Sequence, residues 1–262
     1  MKREKSLFAI QAFTLAEVLI TLAIIGVVAA LTIPTLVSNY QKTQYVTQLK
    51  KFYSTFNNGM KTYMASMGCD DMRCTEFFKG ATSDAEWQTR FKTEIPKIFR
   101  NLTIYTQDNY SEFNSLNYPS IKALGGEYAN PGISIGGAPY TFITADGQFV
   151  AIIDNYPGNC DQMPNADSKL RNFCSNVVFV DVNGPKGPNI SGRDAFGFYL
   201  GNDGLLYPYS GYDMGTLYGA PDSIWKLDST ACGTPGSSKI DDNVGGNGCA
   251  ARIMEEGWQM NY

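Results

Sequence analysis

Three groups of residues have types and spacings that could do chemistry. They are a single acid, Glu17, inside an apolar run; six cysteines at 69, 74, 160, 174, 232 and 249; and the stretch Asp181-Val-Asn183-Gly-Pro-Lys-Gly-Pro-Asn189-Ile-Ser-Gly-Arg-Asp194. In that stretch the oxygen-bearing side chains of Asp181, Asn183, Asn189 and Asp194 are separated by Gly and Pro, a composition suited to wrapping carbonyls and carboxylates around a hard cation such as Ca2+. The pattern is not an EF-hand, because Pro185 takes the third ligand position and Gly192 stands where a bidentate Glu belongs. Asx turns and Pro-Gly geometry would also make a rigid loop without metal. Lys186 adds an unhelpful positive charge.

Much other chemistry is excluded. Without histidine there is no Ser-His-Asp triad, no Cys-His dyad, no His-ligated zinc and no H-E-x-x-H helix. No C-x-x-C pair supports a redox dithiol or a structural zinc. The adjacent acids Asp70-Asp71, Asp241-Asp242 and Glu255-Glu256 read as solvated charge on turns rather than a glycosidase pair. Gly125-Gly126 and the Gly245–Gly248 run match neither a dinucleotide fingerprint nor a P-loop. No catalytic residue is expected. Net charge −4 and a pI near 4.9 argue against nucleic acid as a partner, since phosphate contacts need a clustered basic face.

The cysteines allow fifteen pairings if all six are joined. Each neighbouring pair brackets a short loop rich in Gly or Asp, so the expected bonds are Cys69–Cys74, Cys160–Cys174 and Cys232–Cys249. Closing loops of this size stabilises by roughly 2–3 kcal/mol each in the chain-entropy model. All six lie beyond residue 68, which suits an oxidising compartment for that part of the chain.

What places Glu17 is a sharp polarity step. Residues 1–12 carry Lys2, Arg3 and Lys5 against Glu4, whereas residues 13–37 hold one charge, Glu17. As a helix, that run would reach roughly 37 Å, enough to cross a hydrocarbon core of about 30 Å. Basic residues ahead of it predict a cytoplasmic N-terminus. The run is too long for an ordinary secretory signal, although Ala29-Ala30 could imitate a cleavage site. A plain anchor fits the length but leaves a costly carboxylate in lipid. Cutting before Phe13 would create an α-amino group four residues from Glu17, at the same depth, which a neighbouring copy could offer as a counter-ion.

The string Ala12-Phe13-Thr14-Leu15-Ala16-Glu17, after a short basic leader and before an apolar helix, resembles the prepilin cleavage and methylation motif of type IV pilins and type II secretion pseudopilins. The resemblance covers residues 1–37 and includes Pro34, where many family members carry a proline. It implies cleavage between Ala12 and Phe13 by a membrane prepilin peptidase, N-methylation of Phe13, and Glu17 as the acid for subunit docking. The family usually has Gly before the cut; this chain has the small substitute Ala12. The resemblance further implies a structural subunit rather than an enzyme, partnered by other pilin or pseudopilin subunits, an assembly ATPase and a platform protein. The implied location is the bacterial inner membrane, single-pass, with the globular domain periplasmic or extracellular. A surface-anchored, adhesin-like binding protein is the alternative.

The elements around these residues read as an α+β fold, and their order resembles pilin architecture in outline. Leu49, Phe52, Tyr53, Phe56, Met60, Tyr63, Met64 and Met67 fall at steps of three and four, with Lys50, Lys51, Asn57, Asn58 and Lys61 between them. One helix over 13–67, roughly 80 Å long, would therefore be apolar all round in its first half and striped in its second. Pro34 removes one backbone hydrogen bond and predicts a kink or a meltable stretch. Gly68 ends this helix, and a second begins at a Ser83/Glu86 capping box, with Trp87 and Phe91 on one face and Pro96 near its end. Residues 101–139 read as mostly loop by composition. Strands are expected at 140–145, 148–154, 177–182, 195–200 and 205–209, with a type I′ turn at Asp146-Gly147 and a second hairpin at Asn202-Asp203-Gly204. They would form an antiparallel sheet of four or five strands covering the striped half of the helix. A loop-rich tail ends in a short helix over 249–256. The expected division is leader 1–12, membrane or filament-core segment 13–37, and globular domain 38–262.

Overall fold

The computed structural model describes residues 14–77, 84–126, 140–153, 173–201, 203–208, 232–233, 237, 239–242 and 244–262. The chain divides into two compact units, Met1–Lys42 and Thr43–Tyr262. Helix α1 (Leu15–Ser66) supplies nearly all the described residues of the first and opens the second.

In the first unit Thr14 and Glu17 cap the helix reciprocally. The Thr14 N–H and hydroxyl donate to Glu17 Oε2 at 2.8 and 2.7 Å, and the Glu17 N–H donates to Thr14 Oγ1 at 3.2 Å. This is a capping box, which satisfies donors that every helix start leaves open. The helix continues without a break through Pro34, which has no N–H to give the Ala30 carbonyl. Side chains from Leu15 to Tyr40 are exposed, except the half-buried Ala29, and predominantly apolar.

The second unit is built around one antiparallel meander. Its strands are β1 (Thr103–Tyr105), β2 (Thr141–Ile143), β3 (Phe149–Ile153), β4 (Phe173–Asp181), β5 (Ala195–Gly201) and β6 (Leu206–Pro208), each paired with the next in sequence. Period-two alternation splits their side chains between two faces. Val150, Ile152, Val178, Val180, Phe196 and Phe198 face a large core shared with Leu49, Phe52, Phe56, Met60, Tyr63 and Met64 of α1. Trp87, Phe91 and Ile95 of α2 (Asp84–Ile98) join the same core. The helical stripe read from the sequence is thus the core face of α1. Asn57, expected on the polar side, is instead buried, and its Oδ1 accepts the Leu206 N–H at 2.9 Å. A partner explains how one amide is tolerated there.

The opposite sheet face is also covered. Phe149, Ala151, Phe179 and Ala195 pack with Tyr105 and with Phe113 of α3 (Tyr110–Ser115), while Tyr118 and Ile121 lie against them. Strand β1 and α3 are short elements inside the stretch 101–139 that reads as mostly loop, and the sheet has six described strands rather than four or five.

Both hairpins form, but the first is not type I′. The Thr144 N–H reaches the Gln148 carbonyl at 3.0 Å and the Gly147 N–H reaches the Thr144 carbonyl at 2.8 Å, with only Gly147 at positive φ (80°). Type I′ needs positive φ at both central residues, and Ala145 and Asp146 lack it. The loop is a longer turn closed by a left-handed glycine. Helix α1 ends as expected at Gly68 (φ 66°), where the Cys69 N–H donates to the Met64 carbonyl and the Gly68 N–H to the Ala65 carbonyl, a Schellman closure. Ser83, the predicted cap of α2, lies outside the described residues. The terminal helix α4 (Cys249–Glu255) forms where predicted.

Candidate functional site

The four oxygen residues singled out in the sequence are gathered at the mouth of the β4–β5 connection. Asp181 is the last residue of β4 and pairs with Ala195, and the Val182 N–H donates to the Asp194 carbonyl at 2.8 Å. The hairpin register therefore sets the two acids at the neck of a twelve-residue excursion. Within it the Asn183 N–H donates to Asp181 Oδ1 at 3.1 Å. The Asn189 and Ile190 N–H groups donate to Asp194 Oδ2 and Oδ1 at 2.8 and 2.6 Å.

A second segment completes the neck. The Lys122 N–H donates to the Asn189 carbonyl and the Ser191 N–H to the Lys122 carbonyl, both at 2.8 Å, a short parallel bridge. That bridge brings Tyr118 in, and its hydroxyl donates to Asp181 Oδ2 at 2.5 Å. Sequence reading missed Tyr118, because nothing at position 118 signals a partner 63 residues away. The tail closes the far side. The Tyr262 hydroxyl donates to the Gly192 carbonyl at 2.6 Å, and a Cβ on Gly192 would meet Cys249 Sγ at 2.6 Å.

The electrostatics of this neck are unusual. Asp181 and Asp194 are both fully buried, and among the described residues neither is paired with a lysine or arginine. Burial, reinforced by the charge of Asp194, pushes the Asp181 carboxyl up to about 7 against the pull of the Tyr118 hydrogen bond. Burial likewise raises Asp194, although the Ile190 and Asn189 N–H groups pull it back. Burial first, then the two carboxylates, raises the phenol of Tyr45 on α1. Two buried amide oxygens, Asn183 Oδ1 and Asn189 Oδ1, have no hydrogen-bond partner among the described residues. An unpaired buried acceptor costs about 1–3 kcal/mol. These donors, hard oxygens with two carboxylates, are those a calcium-type ion takes. No cluster of three or more His, Cys, Asp or Glu suited to a metal occurs among the described residues, so any ion here depends on the amides.

Two of the expected disulfides are formed, Cys69–Cys74 and Cys232–Cys249. For the third, Cys160 and the side chain of Cys174 lie outside what is described. Arg252, fully buried, holds the tail loop to α4: its guanidinium donates to the Cys232 and Ser237 carbonyls and to Glu256 and stacks on Tyr262. Ala12 and Phe13 lie outside the described residues, while Thr14 and Glu17 stand at the exposed start of α1. Helix α1 is long and apolar enough to cross a membrane, and its apolar window is entirely unburied. Asp71 receives both the N–H and the side chain of Arg73, so of the paired acids this one is a turn cap. A cleft of about 520 Å³ lies between α1, the end of α2 and the β2–β3 turn, lined by Phe52, Gly59, Lys97, Phe99, Arg100 and Gln148 among others.

No family model, no curated protein and no solved structure matches this chain.

Proposed function

We propose that this chain is the precursor of a structural subunit of a type II secretion pseudopilus or a type IV pilus-like filament. One observation carries the reading. A single continuous helix begins at a Thr14/Glu17 capping box, leaves its apolar side chains from Leu15 to Tyr40 uncovered, and from Tyr45 to Met64 buries one stripe in a folded domain. An uncovered apolar surface of that size needs lipid or other copies around it. Lipid would store the subunit, and bundled helices would replace lipid in the filament.

On this reading prepilin peptidase removes residues 1–12 and methylates Phe13. The Phe13 amine of one copy then neutralises Glu17 of its neighbour, which sets docking register. The protein is a substrate of that peptidase, not an enzyme, and an ATPase and a platform protein drive its assembly at the inner membrane. The disulfide-closed domain lies outside that membrane.

Mass spectrometry of the N-terminal peptide from membranes of the native organism tests the proposal. A chain that starts at Phe13 with one added methyl group is expected. A chain starting at Met1 would make it a plain anchored protein, and one starting beyond Ala30 a secreted one; either overturns the reading. Glu17→Ala then separates a filament subunit from a lone anchored binding protein. Both keep their membrane level, but the subunit loses filament incorporation, whereas the lone protein keeps its binding.

A further inference from the structure

We propose that the cleft between α1, the end of α2 and the β2–β3 turn is a binding site for a short acidic oligosaccharide. Arg100 takes a uronate carboxylate, and Thr55, Asn58 and the last carbonyls of α2 take ring hydroxyls. The inference does not rest on the filament reading and holds whether or not the leader is cut.

The first support is shape. The cleft encloses about 520 Å³, and all its lining residues belong to the second unit. That is the size of sites that hold small ligands. Its floor is apolar, formed by Phe52, Ile98, Phe99 and Leu102. Its walls are fixed by backbone, because α1 and α2 meet so closely at Gly59 that a Cβ there would lie 2.9 Å from the Ile98 carbonyl oxygen.

The second support is an unpaired charge. Of the charged lining residues, Lys97 is bonded to Glu94 at 2.6 Å and Asp146 to Lys51 at 2.8 Å. Arg100 is exposed, and among the described residues its guanidinium has no partner. The chain as a whole carries a charge of −4, so this arginine is not one more member of a general basic surface. Its planar fork of donors matches a carboxylate.

The third support is the rest of the hydrogen-bonding inventory. On the α1 wall the Thr55 hydroxyl and the Asn58 amide also lack partners among the described residues. Each can both donate and accept. At the end of α2 the Phe99 N–H takes the Ile95 carbonyl, but among the described residues no N–H reaches the carbonyls of Lys97 and Ile98. Such carbonyls are left open at every helix C-terminus. Acceptors beside groups of both kinds suit a ligand rich in hydroxyls.

Two other anions match this set less well. Phosphate only accepts, and it would meet the negative end of α2. An extended acidic peptide is recognised through main-chain bonds to a free sheet edge, whereas β2 and β3 beside the turn are each paired on both sides. A uronate offers hydroxyls to the carbonyls and keeps its carboxylate, across the ring, for Arg100.

The test is isothermal titration calorimetry of the full chain in detergent at low ionic strength. Trigalacturonate and trimannuronate are the acidic probes, maltotriose the neutral one, and triglutamate and inorganic phosphate the competing anions. At least one acidic trisaccharide should bind saturably at one site per chain. Its affinity should exceed that of maltotriose by about tenfold or more, the factor a charge-assisted hydrogen bond supplies. Arg100→Gln should erase that preference and leave Tm unchanged, since the side chain is exposed and unpaired. Asn58→Ala should weaken acidic and neutral sugars alike, by about three- to tenfold, as one lost neutral hydrogen bond does. No binding of either acidic trisaccharide, equal binding of maltotriose, equal binding of triglutamate or phosphate, or a preference that survives Arg100→Gln would each overturn the assignment. So would an Asn58→Ala variant without effect, which would reduce the cleft to a charge that attracts any anion.

Discussion

Gly192→Ala tests how the tail locks the β4–β5 connection. Gly192 has φ 79°, and a Cβ there would sit 2.6 Å from Cys249 Sγ, 2.8 Å from the Gly246 carbonyl oxygen and 2.9 Å from Cys249 Cβ. Two of those neighbours cannot swing away, because Cys249 is bonded to Cys232 and Gly246 is backbone. The left-handed conformation costs an L-residue about 1–2 kcal/mol. Overpacking against fixed atoms adds about 1–3 kcal/mol. A total near 4 kcal/mol lowers Tm by roughly 8–16 °C in a domain of this size. Gly68→Ala is the internal control. Gly68 shares the positive φ (66°) but would place its Cβ in open space, so only the conformational cost of about 1–2 kcal/mol remains. Thermal unfolding of both variants in detergent, beside the wild type, measures the difference. Equal losses would refute the argument, since they would mean that the tail does not press on the loop at Gly192.

Three further outcomes follow from the packing and the charges. Phe56→Ala should cost about 3–5 kcal/mol in urea unfolding, because this fully buried ring packs against Phe52 at 5.7 Å and Phe99 at 5.3 Å and little can fill its place. The Cys232–Cys249 bond spans 17 positions and the Cys69–Cys74 bond 5, so replacing the first pair by serine should cost about 3 kcal/mol and the second about 2 kcal/mol, read from unfolding midpoints. Burial works to raise the Glu94 carboxyl, but hydrogen bonds from Lys97 at 2.6 Å and Tyr63 at 2.5 Å outweigh it and hold the group below its ordinary 4.5. A depressed carboxyl stabilises the fold above its unfolded value and loses that contribution as pH falls through the folded one. Glu94→Gln should therefore lower stability at neutral pH and flatten the decline between about pH 5 and pH 3 seen in the wild type.

The parts of this fold that were legible in the sequence are those with a period long enough to read. The stripe from Leu49 to Met67 spans several turns, and its members lie in or against the main core. The strands around Asp146-Gly147 and Asp203-Gly204 alternate between two faces and carry their turn glycines. Strand β1 and α3 were invisible for the opposite reason. Three residues of strand and six of helix are too few for any periodicity, and β1 exists because Tyr105 and Thr103 pair with Thr141 and Ile143. The oxygen set at the β4–β5 neck could be read from composition, because Gly and Pro spacing exposes it. Its burial could not, since Tyr118, Lys122 and Tyr262 come to it from elsewhere in the chain. Asn57 was misread for a similar reason. Its polar type pointed to solvent, but the Leu206 N–H needed an acceptor in the core.

Helix α1 explains why one chain can be read as serving two solvents. A helix satisfies its own backbone hydrogen bonds, so the same element is stable in lipid, in a helix bundle or against a sheet, and only its side chains need match each setting. Up to Tyr40 the apolar residues lie on every side, with no preferred face, which suits lipid or a ring of identical helices. From Tyr45 onward one face carries the aromatic and methionine side chains, which suits one fixed sheet. In the proposed filament the exchange from lipid to neighbouring helices is close to neutral for the apolar side chains, because lipid tails are as apolar as leucine. Glu17 is different. Its carboxylate is held by Thr14 within the chain, and pairing with a neighbour's amine adds the opposite charge that the capping box lacks. On the proposed reading this single residue distinguishes stored subunits from docked ones. The loss expected from Glu17→Ala should therefore fall on incorporation and leave both membrane level and domain stability unchanged.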